Sequence, residues 1–230
     1  MYKKFAYQTD SGTEAIKLAL IELKSTRVII PSYTCTDILN AVKQAECEYY
    51  IVDCGLDLQI DVEQVIQIAN DWDTVIVPHM FGIRADVKSI KENTNLNIIE
   101  DLSQCHGLPE LGKYADVVIS STNKSKWIDL GGGGIIFSDI EKALITPIDF
   151  DKFSDRITNH YNVRLERASE LKDAGIKLIG TESSYLRGMY FTKGQSTRTP
   201  YIPLHISEEK FGCPKIDSYI NRINWISILP

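Results

Sequence analysis

Apolar positions recur along this chain in two rhythms. Between Thr13 and Leu23 they fall at Ala15, Ile16, Ala19, Leu20 and Leu23, the i, i+3, i+4 spacing of an amphipathic helix. Ser11 is its candidate N-cap, and Glu14 three positions on completes a capping box. Val28–Ile30 then reads as a short strand closed by Pro31. The alternation continues with a helix over Thr36–Ala45, a strand over Glu48–Asp53, a helix over Val62–Ala69 and a strand over Thr74–Pro78. A short helix over Val87–Lys91 follows, then strands over Asn97–Asp101, Asp116–Ser120 and Gly134–Ser138. Such a rhythm predicts an α/β fold with a mostly parallel sheet and ligands at the carboxyl ends of its strands. Beyond about Thr146 the pattern changes. A charged helix over Asn162–Ala174 precedes a Gly- and Ser-dotted stretch, Gly180–Pro203, that suggests no element, and Lys215–Ile228 reads as a last helix. Composition therefore divides the chain into a core, residues 1–145, and a C-terminal segment, residues 146–230.

With 230 residues and 43% apolar composition the chain has the side chains for a sizeable core, so intrinsic disorder is excluded. Twenty-five basic residues against 31 acidic ones leave a net charge of -6, which argues against nucleic acid as the main partner, because that needs a surplus of Lys and Arg. The five cysteines, Cys35, Cys47, Cys54, Cys105 and Cys213, are odd in number and never spaced C-x-x-C. Neither a disulfide framework nor a metal site is suggested. No apolar run is long enough to span a bilayer, and the first residues lack an apolar leader, so the expectation is a cytoplasmic protein without a membrane partner.

Four segments carry chemistry. Ser11-Gly12-Thr13 opens a helix, where free backbone N–H groups and the positive end of the helix dipole can seat a phosphate. Glu100-Asp101-Leu-Ser-Gln104-Cys-His106-Gly107 ends an apolar strand with an acid suited to hold a protonated ring nitrogen. In Ser121-Thr-Asn-Lys-Ser-Lys126-Trp-Ile-Asp-Leu-Gly131-Gly-Gly-Gly134 a lysine lies among hydroxyl residues and runs into four glycines. This suits a nucleophilic amine with phosphate donors nearby. A nucleotide loop is the weaker reading, because these glycines precede a strand instead of opening a helix. Pro31-Ser-Tyr33-Thr-Cys35-Thr36 forms a polar and aromatic turn suited to lining a ring. Together they supply phosphate ligands, a ring-nitrogen acid and an amine in the order of a pyridoxal phosphate site, in which the lysine forms the Schiff base and the acid keeps the pyridine an electron sink.

These segments, with Val28-Ile-Ile-Pro-Ser-Tyr-Thr34, Asp53 and Val77-Pro-His-Met-Phe-Gly82, resemble the DegT/DnrJ/EryC1/StrS aminotransferases over roughly Phe5 to Ile140. These are fold-type I, pyridoxal 5'-phosphate-dependent enzymes, mostly acting on nucleotide-linked keto sugars. The resemblance implies that Lys126 is the Schiff-base lysine and Lys124 a bystander. It implies that Asp101 pairs with the pyridine nitrogen, that Gln104 lies against the ring or its hydroxyl, and that Gly12, Thr13 and Ser121 hold the phosphate. His106 reads as a neutral, hydrogen-bonded packing residue. Tyr161-Asn162-Val-Arg164-Leu165 resembles a family segment whose asparagine reaches the cofactor phosphate of a partner subunit, which would make Asn162 a cofactor ligand across a homodimer. The competing alignment makes Arg164–Lys172 an ordinary helix with solvated charges, and both stay open here.

Departures from the family pattern matter equally. Cys35 stands where an aromatic ring usually stacks on the cofactor, leaving Tyr33 to compensate, and Gly132 stands where an acid is usual. Members are typically longer, so the resemblance implies a reduced C-terminal segment. The expected function is transfer of an amino group from an amino acid such as glutamate to a nucleotide-linked keto sugar. The alternatives are a catalytically impaired homologue serving as a partner or regulatory subunit, and a dehydration or elimination reaction. Against the last, sugar dehydratases of the family carry histidine in place of the lysine retained here as Lys126.

Overall fold

The computed structural model describes residues 2–124, 126–143 and 145–176 and the strands Arg187–Phe191 and Ile223–Ser227. A seven-stranded sheet is built from β1 (Phe5–Thr9), β2 (Arg27–Pro31), β3 (Glu48–Val52), β4 (Thr74–Pro78), β5 (Asn97–Asp101), β6 (Val117–Ser121) and β7 (Gly134–Ser138), in the order β1-β7-β6-β5-β4-β2-β3. The pairings β2/β3, β2/β4, β4/β5 and β5/β6 are parallel. β7 joins both β6 and β1 antiparallel. The helices are α1 (Gly12–Glu22), α2 (Thr36–Gln44), α3 (Val62–Ile68), α4 (Val87–Asn93) and α5 (Ser154–Asp173). The fold class is thus as the alternation predicts, a mostly parallel α/β sheet.

Local chemistry explains the elements. β4, Thr-Val-Ile-Val-Pro, and β7, Gly-Ile-Ile-Phe-Ser, are buried at every position, as strands covered on both faces must be. Ser11 caps α1 from an extended conformation, its hydroxyl accepting from the Glu14 amide at 3.0 Å. The Glu14 carboxylate turns to Lys17 at 3.3 Å. α1 packs on β6 and β7 and against α2, while α3 packs against α4. Because β3 grows from one side of β2 and β4 from the other, the sheet reverses its winding between β2 and β4. Loops diverge there and leave a crevice at the strand ends.

Several expectations are corrected. β1 was not anticipated; Phe5–Thr9 alternates only briefly and pairs antiparallel at the sheet edge. α5 begins at Ser154, not Asn162. Its buried residues Ile157, Arg164 and Leu171 recur every seventh position, one narrow buried stripe, with an arginine at its centre, on a mostly polar helix. Arg164 is 2% exposed, so its charge is not part of a solvated face, and burial brings its guanidinium down to about 10. The helix expected over Lys215–Ile228 is overturned at Ile223–Ser227, which is a strand, β9, pairing antiparallel with β8 (Arg187–Phe191); the rest of that range lies outside the described residues. β8 also places an element inside Gly180–Pro203. Cys35, Cys47, Cys54 and Cys105 form no disulfide, and Cys213 lies outside the described residues. Among the described residues no helix is long and apolar enough to cross a membrane.

His106 is built into this core at 1% exposure. Its Nδ1 meets the Tyr2 hydroxyl at 3.0 Å and its Nε2 the Ser120 hydroxyl at 3.1 Å. Burial disfavours the imidazolium and pushes the ring from 6.5 down to about 3. Between those values the unfolded chain binds a proton that the folded one refuses. The stabilisation is therefore complete above pH 6.5 and drains as the pH falls, by about 2 kcal/mol at pH 5. Urea unfolding at pH 7.5 and pH 5 should show that loss in the wild type and much less of it in His106→Gln; an equal loss in both would remove His106 as its source.

Candidate active site

Four strand ends and one helix start meet in a single cavity. Its walls include Ser11, Gly12 and Thr13 from the first turn of α1, Thr34 and Cys35 between β2 and α2, and Pro78 and His79 after β4. Asp101, Ser103 and Gln104 after β5, Ser121 at the end of β6, and Asn123 and Lys126 beyond it complete them. The first-turn amides of a helix have no intrahelical acceptor, so α1 presents to the cavity the donors that an anion needs.

The glycine run sets this geometry. A Cβ on Gly134 would lie 2.6 Å from the Ser11 carbonyl oxygen and 2.8 Å from the Gly12 nitrogen. Gly133, at φ +91°, would place one 2.9 Å from the Thr9 carbonyl. Bare backbone is what lets β7 start against the N-terminus of α1. Gly12 in turn approaches Ser121, whose Cβ lies 3.1 Å from where a Cβ on Gly12 would be. The segment between Ser121 and Gly134 closes at its base, with the Thr122 amide on the Gly133 carbonyl at 3.0 Å, the Thr122 hydroxyl on the Gly132 carbonyl at 2.7 Å and the Leu130 amide on the Thr122 carbonyl at 3.0 Å. Lys126 stands on this loop, half-buried, while Lys124 is exposed. Trp127, 1% exposed, anchors the loop inward, its ring 5.1 Å from that of His160 on α5.

Asp101 shares the cavity with this lysine. Burial pushes its carboxyl above the usual carboxylate range, against the hydrogen bond from Ser103 and the charge of Lys126. The Ser103 amide donates to Asp101 Oδ1 at 2.8 Å, and the Ser103 hydroxyl accepts from the Ser121 amide at 2.9 Å. One serine thus ties the acid to the anion seat. Gln104 is oriented by the Phe81 amide, which donates to its Oε1 at 2.7 Å. Burial also pushes the Cys35 thiol up, and the Asp37 and Asp101 carboxylates act the same way. Its Sγ lies 3.5 Å from Asp37 Oδ2.

Of the residues expected at the site, Gly12, Thr13, Cys35, Asp101, Gln104, Ser121 and Lys126 line this one cavity. Tyr33 is corrected: it is 1% exposed, packs beside Phe81 with ring centroids 6.0 Å apart, and is not among the lining residues. It follows β2 in the strand's alternation and points into the core. Asn162 is exposed on α5 and does not line the cavity of its own chain. Ser103, Thr34, Asn123 and His79 are wall residues that sequence reasoning missed. Ser103 and Thr34 each sit one position from a residue that was identified, but short hydroxyl residues in turns carry no distinguishing pattern. His79 lies inside the Val77–Gly82 motif without a spacing that marks a role.

A mostly parallel sheet carrying a lysine, a buried acid and an anion seat at its strand ends has the α/β architecture of the fold-type I class. The sequence profile of the DegT/DnrJ/EryC1/StrS aminotransferase family matches residues 1–153, and the chain belongs to that family. It is 31% identical over 159 residues to the 3-oxo-glucose-6-phosphate:glutamate aminotransferase of Bacillus subtilis (strain 168), a match that covers 65% of this chain and 36% of the relative. The fold is shared with NtdA from Bacillus subtilis, solved with bound cofactor PMP (TM-score 0.70, 23% identity, 83% of this chain and 55% of that one). It is shared too with 3-amino-5-hydroxybenzoic acid synthase (TM-score 0.79, 17% identity, 98% and 81%). The PLP form of Spr1654 from Streptococcus pneumoniae is a third such structure (TM-score 0.74, 16% identity, 100% and 83%). The matched part of the Bacillus subtilis aminotransferase is thus 36% of its length.

Gly134→Ala should cost about 1–3 kcal/mol or more, because only backbone could move to admit the methyl. Gly131→Ala, at φ +81° but with nothing within 4 Å, should cost about 1–2 kcal/mol from backbone strain alone. Thermal unfolding of the two variants checks the order; a Gly134→Ala protein as stable as wild type would mean that the close approach does not exist.

Proposed function

We propose that the protein is a pyridoxal 5'-phosphate-dependent aminotransferase, moving an amino group from an amino acid such as glutamate to a keto sugar. The observation that carries this reading is one cavity lined by the half-buried Lys126, the buried Asp101 and the first turn of α1. The residues present fit the cofactor. A carboxyl raised by burial is relieved by a cation at hydrogen-bond distance, which a protonated pyridine nitrogen provides. The Gly12 and Thr13 turn and the Ser121 hydroxyl suit a phosphate. The Thr34 hydroxyl is buried in the cavity wall without a hydrogen-bond partner, a polar group that a bound ligand could satisfy.

Gly12, Thr13 and Ser121 would bind the phosphate, Asp101 would hold the ring nitrogen protonated, and Gln104 and Cys35 would orient the ring. When bound, the cofactor supplies an electron sink for the charge that develops at the amino-bearing carbon. Lys126 Nζ is the group that would hold the cofactor covalently and, once released, carry a proton to and from that carbon as general acid and base. Residues 1–145 would form the cofactor-binding core. We place the protein in the cytoplasm as a homodimer in which Asn162, exposed on α5, reaches the partner's cofactor phosphate.

For the acceptor we propose a nucleotide-linked keto sugar. The Bacillus subtilis relative, by its name, uses a keto-hexose phosphate, and both acceptors present a phosphorylated sugar. A second reading is favoured by the cavity wall, where no Phe, Tyr or Trp among the described lining residues stands to stack on a flat ring. On that reading it binds the cofactor but serves as a partner subunit with impaired turnover.

Incubation with pyridoxal phosphate, borohydride reduction and peptide mapping should label Lys126, and Lys126→Ala should lose both the visible band and turnover. A label on another lysine, or wild-type turnover by Lys126→Ala, would overturn the assignment. Amino-sugar formation from glutamate with a nucleotide-linked keto sugar, compared with a keto-hexose phosphate, decides the acceptor. A labelled Lys126 without turnover on either supports the partner-subunit reading.

A further inference from the structure

Behind the cavity floor lies a buried pair that the proposed chemistry does not use. His79 is 1% exposed and Glu100 2%. His79 Nε2 meets Glu100 Oε1 at 2.8 Å, and the Ala85 amide donates to His79 Nδ1 at 2.9 Å. An amide can donate only to an unprotonated nitrogen, so Nδ1 is the acceptor, Nε2 carries the hydrogen, and the imidazole is neutral. Both ring nitrogens are engaged. His79 therefore has no free position from which to exchange a proton with a ligand, although the residue is part of the cavity wall.

Its bonds instead fix the cavity floor. Pro78 is in register with Asp101 across β4 and β5. The His79 amide donates to the Asp101 carbonyl at 3.3 Å, and its ring reaches across the turn to Ala85. Between these anchors Phe81 adopts φ +56°, a left-handed conformation that a bulky side chain holds only when its surroundings impose it. In that conformation the Phe81 amide points at Gln104 Oε1. Glu100 completes the lock from below, accepting also from the Gly112 amide at 3.0 Å. The chain of contacts runs from Glu100 through His79 to the Phe81 turn and on to Gln104, with Asp101 held by the same residue's backbone.

We propose that His79 is a positioning residue that locks the 79–85 turn onto the end of β5 and thereby sets Gln104 and Asp101 for the ligand. Its consequence for the cofactor rests on the function proposed above; the lock itself does not.

Three variants separate these. His79→Leu removes both ring bonds, and His79→Asn restores an acceptor where Nδ1 stood. Hydrogen exchange of the Phe81 and Ala85 amides in cofactor-free protein reads the lock. The pyridoxal phosphate dissociation constant and the pH dependence of the visible band read its consequence. Glu100→Gln, which keeps an acceptor for His79, serves as the mild control. His79→Leu should speed exchange at Phe81 and Ala85 by about tenfold and weaken cofactor binding by about tenfold. It should also shift the pH profile of the band, while His79→Asn and Glu100→Gln recover most of each effect. Exchange and affinity in His79→Leu within twofold of wild type, or a His79→Asn protein as impaired as His79→Leu, would overturn the proposal. If wild type binds no cofactor, the functional reading fails alone, and the amide exchange still decides the lock.

Discussion

At the active end of the sheet two stretches of backbone come closer than a side chain allows. Gly134 starts β7 against the Ser11 carbonyl and the Gly12 nitrogen, and the rest of the site depends on that contact. It sets the first turn of α1 beside the end of β6, so that helix amides and the Ser121 hydroxyl line one wall. Hydrogen bonds of Thr122 to Gly133, Gly132 and Leu130 close the base of the loop that carries Lys126. A helix dipole is useful to an anion only where the first turn is exposed to it. Here the glycines keep that turn uncovered.

The electrostatics follow from burial. Asp101 and Glu100 are neighbours on β5, and alternation sends their carboxylates to opposite sides of the strand. Each is expensive to bury alone, and each meets that cost differently. Glu100 is satisfied within the protein by the His79 ring and the Gly112 amide. Asp101 receives the Ser103 amide and the charge of Lys126, yet its carboxyl stays above the usual range. Satisfaction on one side and residual demand on the other separate a structural acid from one that a cationic ligand would complete.

Much of this was legible before the fold was known. β4, β5 and β7 match their expected bounds, because each is a short apolar run bounded by polar or turn residues. The lysine, acid and helix-start segments were recognisable because each combines a residue type with a place in the α/β rhythm. What was not legible is what depends on tertiary context. β1 is short and pairs only at the antiparallel edge. Ile223–Ser227 alternates apolar and polar residues so briefly that helix and strand periods fit equally well. Tyr33 is buried beside Phe81, a partner far along the chain that no local pattern joins to it. His79 gains its role through Ala85 and Glu100, neither of which a linear motif joins to it.

Cys35 shows what the departure from an aromatic means physically. It sits at the N-cap of α2 without a side-chain cap, and burial and the nearby carboxylates hold it as a neutral thiol. Among the described residues lining the cavity there is no Phe, Tyr or Trp. A flat ligand there would forgo stacking worth about 0.5–1.5 kcal/mol beyond area burial. The work of holding such a ligand would shift to the two ends of the cavity, the donors of the α1 turn and the Asp101 carboxyl. Those two ends are where the Gly134 approach and the bonds of His79 order the backbone, so rigidity at the two poles of the cavity would take the place of contact with the face of a ring.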